Sequence, residues 1–199
     1  QSAGKDIFPT PIIGSLGLLE DVEKHATVSF KSEGDVIVLL GTDTTWDGID
    51  GLAGSEYLDL VHDKVEGQPK IDIDLEIRTQ AVCREAIAND LIASGHDVSD
   101  GGVAIAIAES AIIGGLGASI DEAPGERWDA AMFGETQSRI LVTVSPENLS
   151  KLEAIAAAGN VPMKAIGTVG GDSLSFGESI TTPLSGADDA WKNGFSRAT

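Results

Sequence analysis

Short apolar runs alternate along this chain with stretches that have helical spacing. Val36 to Gly41 is a β-branched apolar run that ends in glycine, which predicts a strand buried on both faces. Four other runs predict further strands: residues 118–120, 139–144, 163–170 and 173–176. After Asp72, apolar residues recur at spacings of three, four and seven, which predicts a helix with one buried side. Alternating strands and helices predict a layered α/β or α+β domain.

Several shorter signals predict where the remaining helices begin. Ser55 is typical of the cap of a short helix, and Ser145 followed by Pro146 is typical of a helix start. Residues 103–113 are apolar nearly all round, which predicts a buried helix, and a short helix is predicted over residues 188–195. Three segments are predicted to be neither regular helix nor regular strand. They are a polar tail up to Pro11, a bent extended segment interrupted by Gly14 and Gly17, and a long acidic loop over 121–138.

Composition narrows the class of protein. Lys and Arg total 13 against 32 Asp and Glu, for a formal net charge of −19. This charge disfavours binding to nucleic acid or to an anionic membrane, because both attract proteins with excess positive charge. Cys83 is the single cysteine, which excludes a disulfide framework and a cysteine-rich zinc site. It falls in the apolar stripe of the helix after Asp72, so we predict a buried filler rather than a catalytic thiol.

The first candidate for chemistry is the stretch His96-Asp-Val-Ser-Asp-Gly-Gly, at the end of a short predicted strand and the start of the buried helix. The first turn of a helix presents free backbone N–H groups, which favour a phosphate or another anion. Ser99 lies at this position, and Gly101 and Gly102 would let a ligand approach the backbone closely. The alternative is that Ser99 or Asp100 only caps the helix.

Three other side chains of this stretch suit a phosphate site. Asp97 and Asp100 could hold Mg²⁺, which takes a few carboxylates together with phosphate oxygens and water. A cation between them would offset their repulsion of an anion. As part of the cluster, His96 could donate to a phosphate or act as a general acid or base, whereas a lone histidine is more often structural.

The second candidate is Phe133-Gly-Glu-Thr-Gln-Ser-Arg, in a loop just before a predicted strand. Gln137, Ser138 and Arg139 can donate hydrogen bonds, and arginine suits bidentate recognition of phosphate. Glu135 could orient the arginine, hold a metal or bind a ribose hydroxyl. From spacing alone, a turn with a surface Arg–Glu pair explains these residues about as well.

Six motifs occur in a fixed order along the chain. They are Pro9-Thr-Pro-Ile-Ile-Gly with Gly17-Leu-Leu-Glu-Asp-Val, Gly34-Asp-Val-Ile-Val-Leu-Leu-Gly, Gly54-Ser-Glu-Tyr-Leu, His96-Asp-Val-Ser-Asp-Gly-Gly, Phe133-Gly-Glu-Thr-Gln-Ser-Arg and Gly167-Thr-Val-Gly-Gly. The same motifs occur in the same order in the C-terminal part of the synthetase component of phosphoribosylformylglycinamidine synthases, which this chain therefore resembles. These enzymes belong to the aminoimidazole ribonucleotide synthetase superfamily.

The resemblance implies a fold and a division of the chain. The expected fold is α+β, a mixed β-sheet with helices packed on it and a partly ferredoxin-like topology. Residues 1–33 would be the strand-like end of a preceding N-terminal-type synthetase domain plus a linker, and residues 34–199 the C-terminal-type domain. Because the family's N-terminal nucleotide-binding domains are missing here, we expect this chain alone to be inactive.

The resemblance also implies a reaction. ATP activates the amide oxygen of formylglycinamide ribonucleotide, and ammonia from a glutaminase component then displaces phosphate to form the amidine. The expected cofactors are ATP and Mg²⁺, the expected partners are the ribonucleotide, the missing domains and the glutaminase, and the expected location is cytoplasmic. The expected site comprises His96 as the catalytic residue, Asp97 and Asp100 as metal ligands, and Ser99, Gly101, Gly102, Glu135, Gln137, Ser138 and Arg139 as phosphate or nucleotide ligands.

Two alternatives stay open. The domain could be a non-catalytic structural module, or one that holds an auxiliary nucleotide. It could also be a relative of thiamine-phosphate kinase or selenophosphate synthetase, because the kinase shares the Asp-Val-Ser-Asp-Gly element that begins at Asp97.

Overall fold

The computed structural model of the chain describes residues 11–42, 49–121 and 127–198. The polar tail predicted before Pro11 lies outside these ranges. Residues 11–35 form neither helix nor strand, and Ile12, Leu16 and Leu18 are fully exposed. The assignment of residues 1–33 to a preceding domain stays a prediction.

The described residues form strands and helices in near alternation. The strands are β1 (Val36–Gly41), β2 (Ile92–Asp97), β3 (Ala118–Ile120), β4 (Arg139–Val144), β5 (Met163–Val169), β6 (Ser173–Phe176) and β7 (Ile180–Pro183). The helices are α1 (Glu56–His62), α2 (Ile73–Ala88), α3 (Gly102–Gly114), α4 (Trp128–Phe133), α5 (Leu149–Ala158) and α6 (Leu184–Ala198), with a 3-10 turn over Ile49–Leu52.

The strands form one seven-stranded sheet in the order β2-β4-β1-β5-β3-β6-β7. Its pairings are antiparallel except for β3 with β6, which is parallel. The sheet is therefore mixed, and the predicted α+β class is confirmed. In the register of β1 with β4, Leu39 lies opposite Leu141.

Helices cover both faces of this sheet. On one face, Ile37 and Leu39 pack into a core with residues of α3, α4 and α6, including Ile107. On the other face, Val38 and Leu40 pack against α2 and α5. Side chains that alternate between two buried faces explain why β1 is a continuous apolar run.

Three features depart from the sequence-based expectations. The predicted loop over 121–138 contains α4, whose six residues are too few for a clear helical period. Strand β7 was not predicted. Helix α5 begins at Leu149 rather than after Ser145, because the Asn148 N–H donates to the Ser145 carbonyl (2.9 Å) in a turn that precedes the helix.

The other predicted elements are close to those observed. Ser55 caps α1 by accepting a hydrogen bond from the Leu58 N–H, and Asp72 caps α2 in the same way. Cys83 is half-buried on α2, and burial raises the pKa of its thiol. Among the described residues, every helix is too short or too polar to cross a membrane.

Candidate functional site

The two candidate loops meet because β2 and β4 are antiparallel neighbours. The last residue of β2, Asp97, lies opposite Ile140 near the start of β4, and the Val98 N–H donates to the Arg139 carbonyl (3.1 Å). This pairing brings the end of one loop beside the start of the other. A cleft of about 500 Å³ opens between them. Its lining contains most of the predicted site residues: Asp97, Ser99, Asp100, Glu135, Gln137, Ser138 and Arg139.

The opposite wall of the cleft comes from α2 and the residue before its cap. Ile71, Glu76 and Gln80 line it, and the Gln80 amide donates to the Glu76 carboxylate (2.6 Å). Sequence reasoning missed these side chains, since their positions away from the apolar stripe indicated only a solvent-facing side of α2. A second cleft of about 470 Å³ adjoins the first along Glu135 and Gln137 and carries the Lys70–Asp50 ion pair (2.7 Å).

Ser138 lies in the cleft in a constrained backbone conformation. Its φ is +64°, and its carbonyl accepts the Thr42 N–H (2.9 Å). A Cβ at Gly41 would lie 1.8 Å from that carbonyl oxygen, so β1 must end in glycine for the two chains to approach. The Ser138 side chain is buried, and its Oγ makes no hydrogen bond to any described residue. A buried hydroxyl without a partner is costly, and because Ser138 lines the cleft, a group bound there could accept its hydrogen bond.

Arg139 is buried beneath the loop that precedes it. Its Nε donates to the Thr136 carbonyl (3.0 Å), and Nη2 donates to the Gly134 carbonyl. Burial lowers the pKa of the guanidinium to about 10, and the nearby charge of Glu135 opposes this decrease. Arg139 therefore stays positively charged at neutral pH while it holds the loop in place. The alternative of a surface Arg–Glu pair is wrong, because this arginine is not on the surface.

Glu135 connects three segments of the chain. Its Oε1 accepts hydrogen bonds from the backbone N–H groups of Gly101 (2.8 Å) and Glu56 (2.9 Å), at the starts of α3 and α1. The Gly102 N–H, in turn, donates to the Ser99 carbonyl (3.0 Å). Two of the N–H groups that we expected to face a phosphate are therefore satisfied within the protein itself.

The glycines at the start of α3 are required by neighbouring protein atoms. Gly101 and Gly102 have φ values of +77° and +69°. A Cβ at Gly102 would lie 2.5 Å from the Gly134 carbonyl oxygen and 2.8 Å from that of Met132. A Cβ at Gly101 would lie 2.4 Å from Cγ1 of Ile105. Neither glycine lines the cleft, so their phosphate-binding role stays a prediction that the cleft itself does not support.

The residue at the cap position of α3 makes no side-chain hydrogen bond. This residue is Gly101, and glycine has no side chain that could accept a hydrogen bond from the helix. The alternative in which Ser99 or Asp100 serves as a helix cap is therefore wrong, and both of these side chains are exposed at the cleft.

His96 is not among the residues that line the cleft. Its imidazole is 14% exposed, Nε2 lies 2.9 Å from the Glu109 carboxylate on α3, and Nδ1 lies 3.4 Å from that of Asp97. Sequence reasoning missed Glu109, although a single acidic residue in an otherwise apolar helix was a usable signal. The catalytic role of His96 stays a prediction, and its position is that of a residue that joins β2 to α3.

Asp97 and Asp100 are exposed and line the same cleft. Within residues 11–42, 49–121 and 127–198, no group of three or more His, Cys, Asp or Glu is arranged to hold a metal ion. A cation at these two carboxylates would need further oxygen ligands from water or a bound phosphate. That donor set fits Mg²⁺, which is usually held by one or two carboxylates and substrate phosphates.

Comparison with known proteins gives the family. Residues 32–177 match the family described as AIR synthase related protein, C-terminal domain. The chain belongs to this family. The matched residues run from the turn before β1 to the end of β6, so the family domain includes both loops of the cleft.

Two similar proteins are named phosphoribosylformylglycinamidine synthase subunit PurL. The chain is 41% identical over 177 residues to phosphoribosylformylglycinamidine synthase subunit PurL of Alkaliphilus metalliredigens, covering 88% of the chain and 23% of that protein. It is 40% identical to PurL of Caldanaerobacter subterraneus over 197 residues, covering 96% and 26%. The chain thus spans about a quarter of the length of these relatives. Its fold is similar to that of T. maritima PurL complexed with FGAR, with a TM-score of 0.72 and 23% identity over 84% of the chain and 30% of that structure.

Proposed function

We propose that this chain is the C-terminal domain of a phosphoribosylformylglycinamidine synthase, an ATP-dependent ligase of purine biosynthesis. The enzyme would convert formylglycinamide ribonucleotide, ATP and glutamine-derived ammonia into formylglycinamidine ribonucleotide in the cytoplasm. The observation that carries the proposal is the cleft in which Ser138 Oγ is buried without a partner beside Arg139. Relatives named PurL at about 40% identity support the assignment.

The cleft would take a phosphate group of one substrate. Ser138 would donate its hydroxyl proton, Gln137 its amide N–H, and Arg139 its positive charge. T. maritima PurL has been solved with FGAR and with ATP, and both of these ligands carry phosphate. Because the chain's net charge of −19 repels anions, local donors must supply the attraction.

Mg²⁺ would be held by Asp97 and Asp100. Their exposed carboxylates face the cleft and leave most of the coordination to water and phosphate oxygens, as this ion prefers. A bound Mg²⁺ would neutralise phosphate charge during transfer. The protein's own contribution would be to fix the phosphate at Ser138 and Arg139 and to exclude it from the start of α3, where the Glu135 carboxylate lies.

Partners follow from the same proposal. N-terminal-type domains of the same enzyme would complete the active site, with residues 1–33 as the connection, and a glutaminase component would supply ammonia. A structure of PurLQS from T. maritima shows that a related PurL assembles with other components. We therefore expect no turnover of ATP when this chain alone is mixed with the ribonucleotide and ammonia, and turnover would contradict that expectation.

The proposal is tested by calorimetric titration of the chain with Mg-ATP and, separately, with formylglycinamide ribonucleotide. We expect heat from at least one of them and, for Ser138→Ala, an affinity lower by about 10- to 150-fold, since one hydrogen bond to a charged group contributes about 1.5–3 kcal/mol. The variant should be at least as stable as the wild type, because it removes an unpaired buried hydroxyl.

Ser145→Ala is the matched control. Ser145 Oγ is also buried without a partner, but it lies outside the cleft lining, at the turn before α5. This variant should bind as the wild type does. A well-folded wild-type chain that gives no heat with either ligand would favour the structural module. Equal affinities for Ser138→Ala and the wild type would exclude Ser138 as a ligand.

A further inference from the structure

Glu135 is the point at which the segments around the cleft are joined. Its backbone N–H donates to the Gly51 carbonyl (2.7 Å), and its own carbonyl accepts from Gln137 Nε2 (3.2 Å). Its side-chain Oε1 accepts the N–H groups of Gly101 and Glu56. One residue thus holds the cleft loop to the 3-10 turn and to the first residues of two helices.

The acceptor position of Glu135 is electrostatically favourable. Both N–H groups belong to helix starts, where unpaired donors and the helix dipole attract negative charge. A fixed carboxylate there supplies the anion that a phosphate would otherwise supply. A phosphate in the cleft would therefore not be bound by the N–H groups of Gly101 and Glu56, which Glu135 already occupies.

The same carboxylate compensates for the buried charge of Arg139. The guanidinium has lost most of its hydration, and the negative charge of Glu135 favours its protonated form. Glu135 thus acts on Arg139 and on the two helix starts at once, and its Oε1 is occupied by two backbone N–H groups of the protein.

We propose that Glu135 is a positioning residue, which sets the geometry of the cleft by tying its loop to α1 and α3, and that it is not itself a ligand for metal, ribose or phosphate. The part of this inference that concerns ligands rests on the proposed function. The part that concerns the tie to α1 and α3 does not.

The test compares Glu135→Gln with Glu135→Ala in the 199-residue chain. A glutamine amide oxygen can accept the same two N–H groups without the charge, whereas alanine cannot. Amide hydrogen exchange of Gly101 and Glu56, followed by NMR, should accelerate about tenfold in Glu135→Ala and by no more than about threefold in Glu135→Gln. The control is Glu153→Gln, which removes one negative charge from an exposed residue of α5. It should leave both exchange rates unchanged.

Binding gives the second readout, with Mg-ATP and formylglycinamide ribonucleotide as the probes. Glu135→Gln should retain the wild-type affinity within about threefold, and Glu135→Ala should lose about tenfold. Loss of binding in Glu135→Gln with slow exchange retained would overturn the inference, because the charge would then act on the ligand directly. Unchanged exchange in Glu135→Ala would also overturn it. If the wild type binds neither probe, the proposed function fails, and the exchange rates alone decide the role of Glu135.

Discussion

Replacing Gly102 with alanine tests whether this glycine serves the fold or a ligand. Gly102 begins α3 with φ +69°, and its Cα faces the backbone at the end of α4. An added Cβ would meet the Gly134 carbonyl oxygen at 2.5 Å and the Met132 carbonyl oxygen at 2.8 Å, both well inside normal contact. Backbone atoms cannot turn aside as a flexible side chain can, so α3 and the Gly134 loop would have to separate.

The expected loss of stability has two parts. An alanine in the left-handed region costs about 1–2 kcal/mol. Forcing an extra methyl group into a packed contact costs about 1–3 kcal/mol more. We therefore expect Gly102→Ala to lower the free energy of unfolding by about 2–5 kcal/mol.

Gly115→Ala is the matched control, because it measures the cost of alanine in the left-handed region without the close contact. Gly115 ends α3 with the same φ of +69°, and an added Cβ there would meet no atom within 4 Å. This variant should lose only about 1–2 kcal/mol. Urea unfolding followed by circular dichroism measures both values. Equal losses for the two variants would refute the reasoning, since the close contact with Gly134 would then contribute nothing.

Two further predictions concern titratable groups. Cys83 should react with iodoacetamide more slowly than a cysteine in the unfolded chain, since burial raises its pKa and reduces the thiolate; equal rates would contradict this. Hydrogen bonds from Arg127 (2.8 Å) hold the pKa of the Asp129 carboxyl below its ordinary value. These bonds therefore stabilise the folded chain at any pH above the pKa that Asp129 has in the unfolded chain, and this stabilisation is lost as the pH falls through the lower pKa of the folded chain. Arg127→Ala should thus lower the free energy of unfolding near neutral pH and change it little in acid, and a loss independent of pH in urea unfolding would argue against the pair.

Much of the fold was predictable because local physics dictates it. The runs that form β1 and β4 are β-branched and apolar, as strands buried on both faces require, and the run that forms α3 is apolar on all sides because that helix is buried. Elements with weak local signals were missed, namely the six-residue α4 and the partly exposed β7. Their formation depends on packing against the rest of the domain.

The sequence by itself determined which two loops carry the candidate site residues, since both lie at the ends of buried elements and contain hydrogen-bond donors and carboxylates; that they bind phosphate stays a prediction. Only the tertiary structure decided what each side chain does there. His96 and Asp97 are adjacent in sequence, yet the imidazole contacts Glu109 on α3 while the Asp97 carboxylate lines the cleft, and only the packing of α3 beside β2 places Glu109 there. Glu135 accepts N–H groups from residues 34 and 79 positions away, and chain folding alone sets distances of that kind.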